Sequence, residues 1–159
     1  MTVHDSDSAP LDRLYMDRAL ALAQAAAAVG EVPVGAVIVD PDGKIIGEAA
    51  NAPIKQHDPT AHAEILAIRS ACIVSKNYRL PGHTLYVTLE PCTMCASAIS
   101  NARITRVVYG ASDPKGGAVE SGVQFFGSPT CHHRPEVTSG LRAEAVAQIL
   151  RDFFRARRK

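Results

Sequence analysis

No stretch of this chain is apolar for long enough to suggest a membrane span. The longest run, Ala19 to Val29, is interrupted by Gln24 and falls short of the ~20 residues a bilayer core requires. A basic, secretory-type start is also missing, since Asp5 and Asp7 make the beginning acidic. Cysteine is scarce. Of four cysteines, Cys92 and Cys95 share one C-x-x-C, which leaves Cys72 and Cys131; this argues against a disulfide framework and for a reducing compartment. No internal repeat or low-complexity tract occurs. Residues 1–10 are polar and read as a disordered tail, and residues 11–159 read as a single domain. The expected setting is the cytoplasm, with no membrane partner.

The chain has 47% hydrophobic and 21% charged residues, which suits one ordinary globular core. Net charge is only +1, but it is unevenly spread. Residues 142–159 hold six basic side chains against two acids, a net +4, so the rest carries −3. Such asymmetry suggests a polyanionic partner at one end, and its bland alternative is a solvated helix end complementing the helix dipole.

Leu11 to Val29 is Ala- and Leu-rich and stops at Gly30, as a helix would. Val34–Val39 and Lys44–Ala50 flank Asp40-Pro41-Asp42-Gly43 and predict a β-hairpin. Ala61–Val74 reads as a helix capped by Asp58 or Thr60, with His62 and Glu64 in its first turn. A strand over 84–89, a helix over 93–101, a strand over 104–109, a long loop over 110–134, a short strand over 136–138 and an amphipathic helix over 141–157 complete the reading. Alternation of helices and strands after the hairpin predicts an α/β sheet sandwiched between helices.

The chemistry concentrates in His62-Ala63-Glu64 and Pro91-Cys92-Thr93-Met94-Cys95. His62, Cys92 and Cys95 make three zinc-type ligands, and three protein ligands leave a fourth tetrahedral position for water, as in catalytic zinc sites. Glu64 is surplus as a ligand and reads as the catalytic proton shuttle. H-x-E followed by P-C-x-x-C matches the known signature of zinc nucleobase deaminases. A structural zinc site is the weaker alternative, because it normally takes four protein ligands. Cys131-His132-His133 could supply a missing ligand or a second metal site, Cys72 reads as a buried small hydrophobe, and Asn51 reads either as a substrate-orienting amide or as a strand-end turn residue.

Several further segments extend the match: Glu31 to Val37, His57 to Ile65, Asn77-Tyr78-Arg79-Leu80, Thr84 through Cys95, and Asp152 to Arg158. With these the chain resembles the bacterial tRNA-specific adenosine deaminases, a branch of the cytidine-deaminase-like zinc enzymes. The resemblance implies a three-layer α/β/α cytidine-deaminase-like fold with a five-stranded mixed sheet, one Zn2+ per subunit, a homodimer, and conversion of wobble adenosine to inosine in a tRNA anticodon stem-loop. It implies that Asn51, Pro33, Val34 and the Ala63 backbone line the pocket for the flipped base. It places Asp113 and Lys115 beside neighbouring nucleotides and Phe153, Phe154, Arg155, Arg157 and Arg158 on the tRNA side. In two places the chain departs from the family. Ala50-Asn51-Ala52-Pro53 stands where the family has Trp-Asn-Arg-Pro, and the segment 119–131 differs.

Two other functions fit the same motifs. A deaminase of free guanine, cytosine or cytidine would need no basic tail, whereas an inactive zinc-stabilised RNA-binding subunit would have no use for Glu64.

Overall fold

The computed structural model describes residues 9–157. Its elements run α1 (Ala9–Ala28), β1 (Gly35–Val39), β2 (Ile45–Ala50), α2 (Pro53–Gln56), α3 (Ala63–Ser75), β3 (Thr84–Leu89), α4 (Thr93–Asn101), β4 (Arg106–Ala111), a 3-10 turn (Phe125–Gly127), β5 (Glu136–Ser139) and α5 (Ala143–Arg157). The first helix begins at Ala9, two residues before the boundary inferred from sequence. The remainder of the expected disordered tail, residues 1–8, lies outside the described residues.

Five strands form one mixed sheet in the order β2-β1-β3-β4-β5. β1 is antiparallel to β2 and β3, while β3, β4 and β5 are mutually parallel. The period of two in β1 sorts its side chains between two cores. Ala36 and Ile38 join Ala63, Ala67 and Ala71 of α3 with Ala96 and Ile99 of α4, whereas Val37 and Val39 join Tyr15, Met16 and Ala19 of α1. Burial on both faces explains why β1 is apolar throughout. The expected three layers with a five-stranded mixed sheet are therefore present.

Two details fix the layers. Asp40 Oδ1 accepts the N–H groups of Asp42 and Lys44, each at 2.9 Å, which closes the hairpin turn read from Asp-Pro-Asp-Gly. In α3 the sheet-facing positions Ala63, Ala67 and Ala71 are small and spaced by four, so the helix can approach closely. At Gly47 of β2 a Cβ would lie 2.5 Å from the Ala67 carbonyl oxygen, and only glycine allows that contact.

Sequence reading and structure differ at several boundaries. The third helix starts at Ala63 and not Ala61, with His62 as its N-cap in extended conformation. Asp58 and Thr60 do not cap it; Asp58 Oδ1 is occupied by the Thr60 N–H (2.8 Å) and hydroxyl (2.7 Å) in a local turn. β4 starts at Arg106 and not Ile104 and continues through Ala111, so the long loop is shorter than expected. It also contains the 3-10 turn. The short helix α2 had no distinct sequence signal beyond Pro53 at its start.

A largely buried ion pair ties α1 to β4, the strand next to the β5 edge of the sheet. Arg106 donates to both Asp12 oxygens at 2.9 Å and to Thr138 Oγ1 at 3.1 Å, and the Tyr86 hydroxyl donates to Asp12 at 2.6 Å. Burial pushes the Asp12 carboxyl up, but the hydrogen bonds from Arg106 and Tyr86 and the Arg106 charge outweigh it and hold the group below its ordinary 3.8. A depressed native pKa contributes stability that is present above the unfolded value and lost as pH falls through the folded one. Asp12→Ala should therefore cost about 3 kcal/mol at neutral pH, the scale of a buried charge deprived of its partner. Urea unfolding at about pH 7 and about pH 3 should show the gap between parent and variant narrowing in acid; a gap independent of pH would contradict the assignment.

Candidate active site

Two helix starts meet at the site. β3 ends at Leu89, and Glu90-Pro91 leads to Cys92, the extended N-cap of α4, with Cys95 in that helix's first turn. His62 is the N-cap of α3. Its Nδ1 lies 3.7 Å from Cys92 Sγ and 3.6 Å from Cys95 Sγ, and the three ligand atoms fall within 4.8 Å of one another. Helix N-termini favour thiolates, so the backbone itself prepares the sulfurs for a cation. Cys92 is the stronger acid of the pair: the Cys95 thiol donates to it, and backbone N–H groups of Cys95 and Met94 and the His62 ring help against burial to lower it to about 5. Cys95 is pushed up, first by donating that bond and then by burial.

Glu64, one residue into α3, is 4% exposed. Burial is the main reason its carboxyl rises to about 7, opposed chiefly by the backbone N–H bonded to it. An acid poised there can accept and return a proton near neutral pH.

Asn51 follows β2 and turns its Oδ1 to the Ala63 N–H at 3.2 Å, satisfying one of the unpaired donors at the start of α3. The Ala63 N–H is thus already engaged. Asn51 N–H reaches Val34 O at 3.0 Å, which brings the buried Pro33-Val34 segment alongside.

A second group of residues surrounds a cleft of about 600 Å³. Asp113 and Lys115, from the loop after β4, line it with Phe154 and Arg157 of α5 and with Val32, Leu89, Ser112 and Leu150. Four of the residues assigned to RNA by resemblance therefore share one concavity. The others do not. Phe153 lines a different groove beside Gln24 and Ala27 of α1, with Arg157 stacked over its ring at 4.2 Å. Arg155 lies 3.8 Å from Asp152 on the exposed side, and Arg158 lies outside the described residues.

Cys131-His132-His133 does not reach the cluster. Cys131 is buried in the main core, with Sγ 3.5 Å from Ser100 Oγ and donating to the His133 carbonyl at 3.1 Å, and His133 Nε2 sits 2.8 Å from Ile104 O. Among the described residues His62, Cys92 and Cys95 form the one group placed to hold a metal ion. Cys72 is partly buried against the main core, and burial pushes its thiol up.

Sequence reasoning passed over Glu90. It is 3% exposed, and although burial pushes its carboxyl up, hydrogen bonds from Asp113, Ser121 and Val119 hold it below the ordinary carboxylate range. Its donors lie more than twenty residues away in sequence, which no local pattern signals.

Residues 10–111 match the family model described as the cytidine and deoxycytidylate deaminase zinc-binding region. A tRNA-specific adenosine deaminase from Agrobacterium fabrum is 58% identical over 144 residues, covering 91% of this chain and 94% of that protein. The chain belongs to the tRNA-specific adenosine deaminase family. A solved structure of the tRNA:A34 deaminases, studied for A-to-I editing at the wobble position, superposes with a TM-score of 0.84 at 58% identity over 86% of this chain and 98% of its own. The structure of a guanine deaminase from Bacillus subtilis is 46% identical with a TM-score of 0.60, over 62% of this chain and 63% of that one. Family and donor set agree on one Zn2+. Two soft sulfurs and an imidazole suit zinc and leave it an open position. Among the described residues no helix is long and apolar enough to cross a membrane.

Replacing either Cys92 or Cys95 by alanine should remove the metal, since a three-ligand site cannot spare a thiolate. Metal analysis of the purified variants should find zinc reduced from one per chain to near zero. Full zinc content in either variant would exclude that cysteine as a ligand.

Proposed function

We propose that this chain hydrolytically deaminates adenosine to inosine at the wobble position of a tRNA anticodon stem-loop, in the cytoplasm and as a homodimer. His62, Cys92 and Cys95 would hold the zinc. When bound, the ion supplies Lewis acidity that lowers the pKa of water toward neutrality. Glu64 would take one proton from the attacking water and pass it to the ring nitrogen next to the amine-bearing carbon, and would then carry a second proton, from the hydroxyl newly added to that carbon, to the departing amine. One carbon–oxygen bond forms, one carbon–nitrogen bond breaks, and ammonia leaves. Asn51, held against the start of α3 by the Ala63 N–H, would orient the base beside Pro33, Val34 and Ala63.

The observation that carries the RNA reading is the cleft in which Lys115, Arg157 and Phe154 converge with Asp113. Two cations neutralise phosphate, and an exposed aromatic ring offers a stacking face for an unpaired base. A free guanine, the substrate in the name of one solved relative, has no phosphate for these cations to meet. A zinc-stabilised RNA-binding subunit without activity is disfavoured by the buried Glu64.

Glu64→Gln keeps the side-chain volume and all three metal ligands, so zinc should stay at one per chain while turnover on an anticodon stem-loop falls by about 10²–10⁴, the usual worth of a positioned general acid–base. Near-parent turnover in that variant would remove Glu64 from the mechanism. For the cleft, alanine at Lys115 and Arg157 should weaken RNA binding and reduce the slope of log affinity against log salt by about 0.7–0.9 per lost phosphate contact. Arg155→Ala, on the exposed side beside Asp152, serves as the comparison and should change the slope far less. Unchanged slopes for Lys115 and Arg157, with activity on free guanine, would favour the free-base deaminase.

A further inference from the structure

Glu90 takes part in no step of the proposed chemistry, yet it is the most heavily bonded carboxylate near the site. Its Oε1 accepts the Asp113 N–H and the Ser121 hydroxyl, each at 2.9 Å. Its Oε2 accepts the N–H groups of Val119 and Glu120 at 3.0 Å and of Ser121 at 2.9 Å. Two backbone bonds run in parallel, Glu90 N–H to Ala111 O at 2.9 Å and Ala118 N–H to Pro91 O at 2.8 Å. A carboxylate has about four lone-pair positions, so five donors saturate it.

All five donors come from residues 113–121, the irregular segment after β4. That segment begins with Asp113 and Lys115 on the cleft wall, while Glu90 itself is separated from Cys92 only by Pro91. One side chain therefore links the cleft wall to the turn that carries a zinc-type ligand. Gly117 completes the fit, because a Cβ there would lie 2.3 Å from Glu90 Cδ and 2.6 Å from the Asp113 carbonyl.

We propose that Glu90 is a positioning residue for the RNA substrate: it holds residues 113–121 so that Asp113 and Lys115 stand at a fixed place relative to Cys92. This rests on the tRNA reading above. Substrate affinity depends on the hold, whereas the zinc ligands and Glu64 do not.

Glu90→Gln keeps the shape but turns one acceptor into a donor, which must face either the Asp113 N–H or the three N–H groups of residues 119–121. Gly117→Ala leaves the carboxylate charged but pushes it aside. In steady-state assays on an anticodon stem-loop, both variants should raise KM by about tenfold or more, the factor carried by one charge-assisted hydrogen bond. Their kcat and zinc content should stay near the parent's. An unchanged KM in both, or zinc and kcat falling together at constant KM, overturns the proposal and makes Glu90 a support for the Cys92 turn alone. Should Glu90→Gln fail to fold, Gly117→Ala and amide exchange in the parent still decide: the N–H groups of 113 and 119–121 should be protected, and rapid exchange there overturns the proposal. A parent protein inactive on the stem-loop refutes the tRNA reading and with it the RNA role of Glu90, while protected amides would still show the hold itself.

Discussion

The site depends on a constraint of direction in the sheet. β1 is antiparallel to both neighbours, so β2 and β3 point the same way, and β4 follows β3. The carboxyl ends of β2, β3 and β4 consequently lie along one edge, the edge at which open α/β sheets bind ligands. The chain that leaves β2 carries Asn51, His62 and Glu64; the chain that leaves β3 carries Glu90, Cys92 and Cys95; the chain that leaves β4 carries Asp113 and Lys115. Functional groups separated by up to about sixty residues are neighbours because three strands end together.

At that edge two buried glutamates have been given opposite characters. Glu64 has little to offset the loss of water, and its carboxyl rises to about 7. Glu90 loses water too, but backbone donors from Asp113, Ser121 and Val119 and the Ser121 hydroxyl outweigh that loss, and its carboxyl stays below the ordinary range. Hydrogen bonding to the charged form decides the difference. One carboxyl raised by burial and one held ionised by its donors therefore sit within one small site.

Most of the architecture was legible because it rests on local signals: the period of two in β1, the Asp-Pro-Asp-Gly turn, and the β-rich run that ends at Pro91-Cys92. The same is true of the cluster of His62, Cys92 and Cys95, whose residue types and spacing already suit a metal. What escaped was set by competition or by distance. Asp58 has a cap's chemistry, yet Thr60 is nearer and takes its oxygen. Cys131 has a ligand's chemistry but packs into the core under Ser100. Phe153 and Phe154 were read as one surface, although successive residues on a helix diverge by about 100° and the two rings line different grooves. Glu90 escaped altogether, since its partners are backbone groups brought near only by the finished fold.

The two halves of the site also differ in how firmly they are anchored. His62 and Cys92 cap helices whose inner faces are fully buried, at Ala63, Ala67 and Ala71 in α3 and at Cys95, Ala96 and Ile99 in α4. By contrast α5, which brings Phe154 and Arg157 to the cleft, buries only Val146. Helices with little buried apolar surface open at lower free-energy cost than the core around them. The metal-ligand cluster is accordingly built on the well-buried layers, and the cleft wall includes a helix with little buried apolar surface. Such opening would reshape the cleft at Phe154 and Arg157 while the ligand cluster and Glu64 stay fixed, because no ligand and no donor to Glu90 belongs to α5.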